Sequence, residues 1–183
     1  MADKGGGLLR RLLANAVAFE QSGEQRWREF AATTGDDDEV RSLFEEGAAS
    51  AILNGQRMGV RLAELGRLED PDTGHFAAAF ESASQVGQTA RAPEEYLLHN
   101  LVLASAMKAE CCALYRSVAI AAATAGDRQT EVLARDIGEN EQNGLEKLRH
   151  LLPSRSKIAF NMLTVSEIDP AVETKAKDDR PGS

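Results

Sequence analysis

The chain has 183 residues, 29 acidic against 21 basic, a formal net charge of −8 and a pI near 5.0. That balance argues against a general affinity for nucleic-acid phosphates or for an anionic membrane surface. Aromatic residues make up 5% while alanine and leucine are frequent, so the composition points to one all-α domain whose helices pack through small side chains.

Lys4, three glycines and Leu8-Leu9-Arg10-Arg11-Leu12-Leu13 open the chain. Arginines interrupt the apolar part, and no cleavage pattern of a secretory signal follows. No run reaches the eighteen or so apolar residues that span a bilayer, so a cytoplasmic protein without a membrane partner is expected. Residues 1–7 are read as a flexible N-terminus, residues 8–163 as the folded domain and residues 164–183 as a disordered tail.

From Leu8 to about Ala32 the period is helical. Leu9, Leu13, Ala16, Trp27 and Ala31 lie within about 40° of Glu20 around the helix axis. Glu20 is thereby expected to face inward, with Glu24 one turn on and able to replace it. Thr33-Thr-Gly-Asp-Asp-Asp38 reads as a turn followed by N-cap and first-turn acids. A second helix then runs to Leu65 and ends at Gly66, with Leu43, Gly47, Asn54, Met58 and Leu62 inward. Its small residues Gly47, Ala48, Ala51, Gly55 and Gly59 suggest a helix-helix contact, with a homodimer face as one use.

Between Arg67 and Pro93 the signal weakens, apart from a short helical stretch at His75 to Ala83. About twenty-five residues suit a crossover from one end of a bundle to the other. Pro93-Glu94-Glu95 starts a third helix. Its inward stripe is read as His99, Leu103, Met107, Glu110, Leu114, Ser117 and Ala121, with Lys108 and Arg116 opposite. Cys111 and Cys112, the only cysteines, diverge on a helix and read as small core residues rather than a disulfide. Tyr115 and Trp27 read as core residues, Tyr115 with its hydroxyl hydrogen-bonded.

Ala125-Gly126-Asp127 closes that helix, and a fourth runs from about Arg128 to Leu152, before Pro153. Ala134, Ile137, Leu145, Leu148 and Leu152 share the face of Glu141. Ser154 to Leu163 is expected to form a short capping helix. The histidines are dispersed: His99 is three turns from Glu110, His75 sits in the crossover and His150 is near the end of the fourth helix.

Two hairpins joined by one long crossover give a four-helix bundle with ferritin-like connectivity. Glu110 followed by Tyr115, the connector Ala125-Gly126-Asp127, and Glu139-Asn-Glu141-Gln142 ahead of Leu145 and Leu148 carry a resemblance. The chain resembles the ferritin-like superfamily, most closely its small bacterial stress-associated members, over about residues 8–152. The di-iron pattern of that superfamily has single glutamates on two helices and a Glu-x-x-His pair on each of the other two. Glu20 and Glu110 match the single glutamates, and Glu141 matches the glutamate of the fourth helix. The partner three residues after Glu141 is Gly144, however, and the second-helix pair falls on Ala51 and Asn54, so both histidines are missing.

Two functional readings follow from the resemblance. In the first, the glutamates are neutral or hydrogen-bonded remnants of an ancestral centre without metal, and the protein has a binding, structural or stress-associated role. In the second, Glu20, Glu110 and Glu141 hold iron or manganese, with Asn54 completing the shell, in an oxidoreductase or metal-binding protein. A third reading, a helical module that binds a partner, would use the small-residue face from Gly47 to Gly59.

Overall fold

Asp37 and Asp127 each stand at the head of a helix and accept from its free first-turn amides, Val40 N–H at 3.1 Å and Thr130 N–H at 3.1 Å. Glycines in the left-handed region close the helices before them: Gly35 at φ 64°, Gly66 at 85° and Gly126 at 75°. In the computed structural model, which describes residues 4–66 and 93–168, these signals delimit α1 (Lys4–Ala32), α2 (Asp38–Glu64), α3 (Pro93–Ala125) and α4 (Arg128–Ile168). No strand occurs among the described residues. The described residues form an all-α four-helix bundle.

Cross-helix bonds fix the helix directions. Asn100 Nδ2 donates to Thr33 Oγ1 at 2.8 Å, so the start of α3 lies beside the end of α1. At the opposite end Arg61, in the last turn of α2, grips Asp127 through two bonds of 2.8 and 2.9 Å. The end of α2 and the start of α3 are therefore at opposite ends of the bundle. Residues 67–92, which join them and include the short helix expected at His75 to Ala83, lie outside the described residues. Packing is densest within the α1–α2 and α3–α4 hairpins, lighter between α1 and α3, and sparse between α2 and α4.

The core divides into two apolar clusters. Leu9, Leu13, Phe19, Met58, Val118 and Ile137 belong to the one nearer Gly66 and Asp127. Trp27, Phe30, Val40, Phe44, Leu101 and Leu148 belong to the other, where the three rings meet at centroid distances of 5.4 to 6.0 Å. Between the clusters lie Glu20, Asn54, Lys108 and Glu141, all buried.

Several expectations need correction. α1 starts at Lys4 rather than Leu8, taking in the three glycines. α4 does not stop at Leu152: it continues through Pro153 to Ile168 as one helix, with no separate capping helix and with helix in the first residues of the expected tail. Proline removes the bond to the Arg149 carbonyl and crowds that oxygen with its ring. Beyond it, Arg155 clamps Asp37 at 2.9 and 3.0 Å and Glu39 at 2.8 Å, while Ala159 is buried, so tertiary anchoring outweighs the break. The fork of Arg155 holds the Asp37 carboxyl below its ordinary range. One described helix, over Glu94–Ala125, is also long and apolar enough to cross a membrane by length and composition. In the bundle it packs against α1 and α4 and carries Lys108 inside.

The small residues of α2 are used mainly within the chain. A Cβ on Gly47 would stand 2.6 Å from the Trp27 ring, and one on Gly55 would stand 3.3 Å from Glu20 Cβ, whereas Gly59 faces open space. Gly47→Ala is therefore expected to destabilise the protein by about 1–3 kcal/mol through overpacking. Gly59→Ala should instead stabilise it by about 0.5–1 kcal/mol; urea denaturation of the two variants reads the difference in sign.

Candidate functional site: a buried polar layer

Each helix contributes one polar side chain to the level between the two clusters. Glu20 comes from α1, Asn54 from α2, Lys108 from α3 and Glu141 from α4, at 4, 6, 6 and 2% exposure. The fully buried Tyr115 of α3 joins them from two turns further along. Burial of two carboxylates and an ammonium is costly unless each is paired, hydrogen-bonded or neutralised. The geometry meets that demand.

Lys108 Nζ donates to Glu141 Oε2 at 2.7 Å, an ion pair in which both side chains are more than nine-tenths buried. Nζ also lies 5.1 Å from the centroid of the Trp27 ring, a cation–π distance. Asn54 Nδ2 donates to Glu141 Oε1 at 3.1 Å and lies near enough to Glu20 to favour its charged form. Tyr115 donates its phenolic proton to Glu20 Oε1. The five side chains form one chain of contacts, from Tyr115 through Glu20, Asn54 and Glu141 to Lys108.

The two carboxyls differ in their partners: Glu141 has an ammonium, whereas Glu20 has only neutral donors. Burial pushes the Glu20 carboxyl up to about 7, the Tyr115 bond opposes the shift, and the nearby Glu141 charge adds to it. Tyr115 is held far above its ordinary range, by burial first and then by the Glu20 charge. Cys111 is buried, and its thiol is pushed well up by burial and then by the two carboxyls. Cys112, partly exposed, is raised by burial as well. Both thiols therefore stay protonated near neutrality, a state in which they are poor nucleophiles.

Of the residues expected to converge, the fold brings Glu20, Glu141 and Asn54 together and leaves Glu110 and Glu24 out. Glu110 is only partly buried, and its carboxyl is raised by burial. Of the expected stripe Met107 and Leu114 are buried, but the inward face of α3 also takes in Ala104, Lys108, Cys111, Tyr115, Val118 and Ala122, turned so that Lys108 is inside and Ser117 is exposed. The cause lies in the sequence of α3, which is apolar nearly all the way round and leaves Val102 and Ile120 exposed. Its periodicity does not single out one face. Glu24 pairs with Arg28 at 2.8 Å. His99 is partly buried, and its Nε2 is a buried polar atom without a hydrogen-bond partner. Among the described residues no group of three or more His, Cys, Asp and Glu side chains stands together as a metal site.

Gly144 acquires a role that spacing alone does not reveal. A Cβ there would lie 3.3 Å from Lys108 Cε and 3.6 Å from Cδ and Nζ. The lysine stem thus fills the space into which a side chain at position 144 would project. The signal that finds Lys108 is this pairing of a long cationic side chain on one helix with a glycine on the next.

The fold and the polar layer define a helical bundle with an ionised, hydrogen-bonded centre. No family model matches the chain, and no curated protein matches it. Among solved structures it is similar to a protein of Xanthomonas campestris pv. campestris, with a TM-score of 0.72 and 16% identity over 88% of this chain and 99% of that one. At that identity the likeness concerns the fold.

Two outcomes follow from the network. A carboxyl whose pKa rises on folding binds more protons in the folded state, so stability falls as pH rises between the unfolded and folded values. For Glu20 the window runs from 4.5 to about 7, and the loss across it is roughly 3 kcal/mol. Glu20→Gln should flatten that part of a stability–pH profile measured by urea unfolding. Tyr115→Phe removes the bond that lowers the Glu20 pKa, so its midpoint should move above that of the parent protein in a carboxyl-carbon NMR titration, with about 1 kcal/mol of stability lost.

Proposed function

We propose that this protein is a cytoplasmic, non-catalytic bundle of the ferritin-like superfamily, of the bacterial stress-associated kind, in which an internal ammonium replaces the metal centre. The superfamily's pattern calls for iron or manganese among inward carboxylates and imidazoles. The residues present do not fit that group. The single observation that carries this reading is Lys108 Nζ, 2.7 Å from Glu141 Oε2.

An ammonium at hydrogen-bond distance from a would-be ligand competes with a divalent cation for the same lone pairs and repels it. Asn54 faces the other oxygen of Glu141 with its N–H group, a donor rather than a ligand atom. Burial raises the proton affinity of Glu20, which further weakens it as a ligand near neutrality. Gly144 supplies no imidazole and makes room for the lysine stem. The ligand position, the charge and the volume are thus all taken by one side chain, Lys108. What remains for the centre is structural work: fixing the register of four helices through contacts that only one arrangement satisfies. Such a scaffold suits a binding or structural role.

Protein purified without chelator should contain iron and manganese well below one equivalent by elemental analysis. Lys108→Met should destabilise it by about 3–5 kcal/mol, because Glu141 loses its counter-charge. Lys108→Met combined with Glu141→Gln should recover most of that loss. A stoichiometric metal in the parent protein, lost in Glu141→Gln, would instead establish the metal-dependent reading.

A further inference from the structure

The sparse packing between α2 and α4 leaves a cleft of about 330 Å³ between them. Lys108 lines it, together with Ser50 from α2 and Asn140, Asn143 and Gly144 from α4. Glu46 and Lys147 form an exposed ion pair of 2.9 Å across it from α2 to α4. Two glycines line the cleft: Gly47 lies under Trp27, and Gly144 lies against the lysine stem. Because a Cβ at 144 would stand only 3.6 Å from Nζ, the bare glycine keeps the way from the cleft to the amine open.

An ammonium has three N–H donors. Lys108 uses one on Glu141 Oε2, and no other acceptor meets it among the described residues. With Trp27 on another side of the amine, a side chain 8% exposed keeps one donor for a cleft that also presents a hydroxyl and two carboxamides. The charges there cancel in pairs, Lys108 with Glu141 and Lys147 with Glu46. A charged guest would bring an uncompensated charge into a half-enclosed site, whereas a neutral acceptor would not.

We propose that the α2–α4 cleft is a binding site for a small, uncharged carbonyl compound of the amide class, its oxygen taking the remaining donor of Lys108 and its other polar atoms meeting Ser50, Asn140 and Asn143. The volume is at the lower end of the range for small-molecule sites, which limits the guest to small size. The site does not depend on the history of the polar layer, and its test has no metal readout.

The full-length protein, labelled with nitrogen-15, is titrated with 2-pyrrolidone as the neutral probe and with acetate as a charged comparator. Saturable shifts at Gly47, Asn143 and Gly144 in the millimolar range are expected for the lactam, with acetate roughly tenfold weaker or more. Ser50→Leu and, independently, Asn143→Leu fill the cleft from opposite helices and should each weaken binding about tenfold or more. The Lys108→Met, Glu141→Gln double variant should lose it as well. Lactam shifts that do not saturate, lactam binding unchanged by both leucine variants, or acetate binding as tightly as the lactam would each overturn the proposal.

Discussion

The bond between Lys108 and Glu141 is the constraint around which this bundle is arranged. Both groups are charged, both are removed from water, and they come from the two helices of the second hairpin. Neither can move without the other, because an unpaired buried charge costs several kcal/mol. Once the pair is in place, the lysine stem needs room on α4, which Gly144 supplies, and its head needs an apolar neighbour that tolerates charge, which the Trp27 face supplies. Trp27 in turn needs Gly47 on α2. One ion pair thus sets the close approaches of all four helices.

The two apolar clusters on either side supply the non-directional part of the stability, and the polar layer supplies direction. Leucine, alanine and valine side chains tolerate many registers; hydrogen bonds from Asn54 to Glu141 and from Tyr115 to Glu20 do not. Ties at the two ends work in the same sense. Arg61 on Asp127 and Thr130 locks α2 to the first turn of α4 and the loop before it, and Arg155 on Asp37 and Glu39 locks α4 to the start of α2. Asp37 and Asp127 are at once helix caps and arginine partners, so the chain reversals and the tertiary clamps share the same carboxylates. The middle of the α2–α4 seam is loosely filled, and there the buried ammonium lines a cleft.

The candidate centre was legible in the sequence by halves. Glu20 and Glu141 lie on helices with one apolar face and one charged face, so angular position alone turns them inward. Glu110 lies on a helix whose outside is nearly as apolar as its inside, and there angle does not discriminate. The same ambiguity hid Lys108: a lysine on an apolar helix reads as the solvent side by default, and only a carboxylate and a glycine from another helix make its burial favourable. Pro153 erred in the other direction. It is a real local break, overridden by an arginine clamp to residues more than a hundred positions away.

What the sequence by itself determined is the helical class, the caps at Asp37 and Asp127, the turns at Gly35, Gly66 and Gly126, and the inward glutamates of α1 and α4. These are local properties, set by periodicity and by backbone conformations that few residues can adopt. Only the tertiary structure decided which cation meets those glutamates, because α3 can rotate about its axis at little hydrophobic cost until Lys108 finds Glu141. Charge pairing across helices depends on positions in space rather than along the chain, and it is this pairing that places an amine at the centre of the bundle.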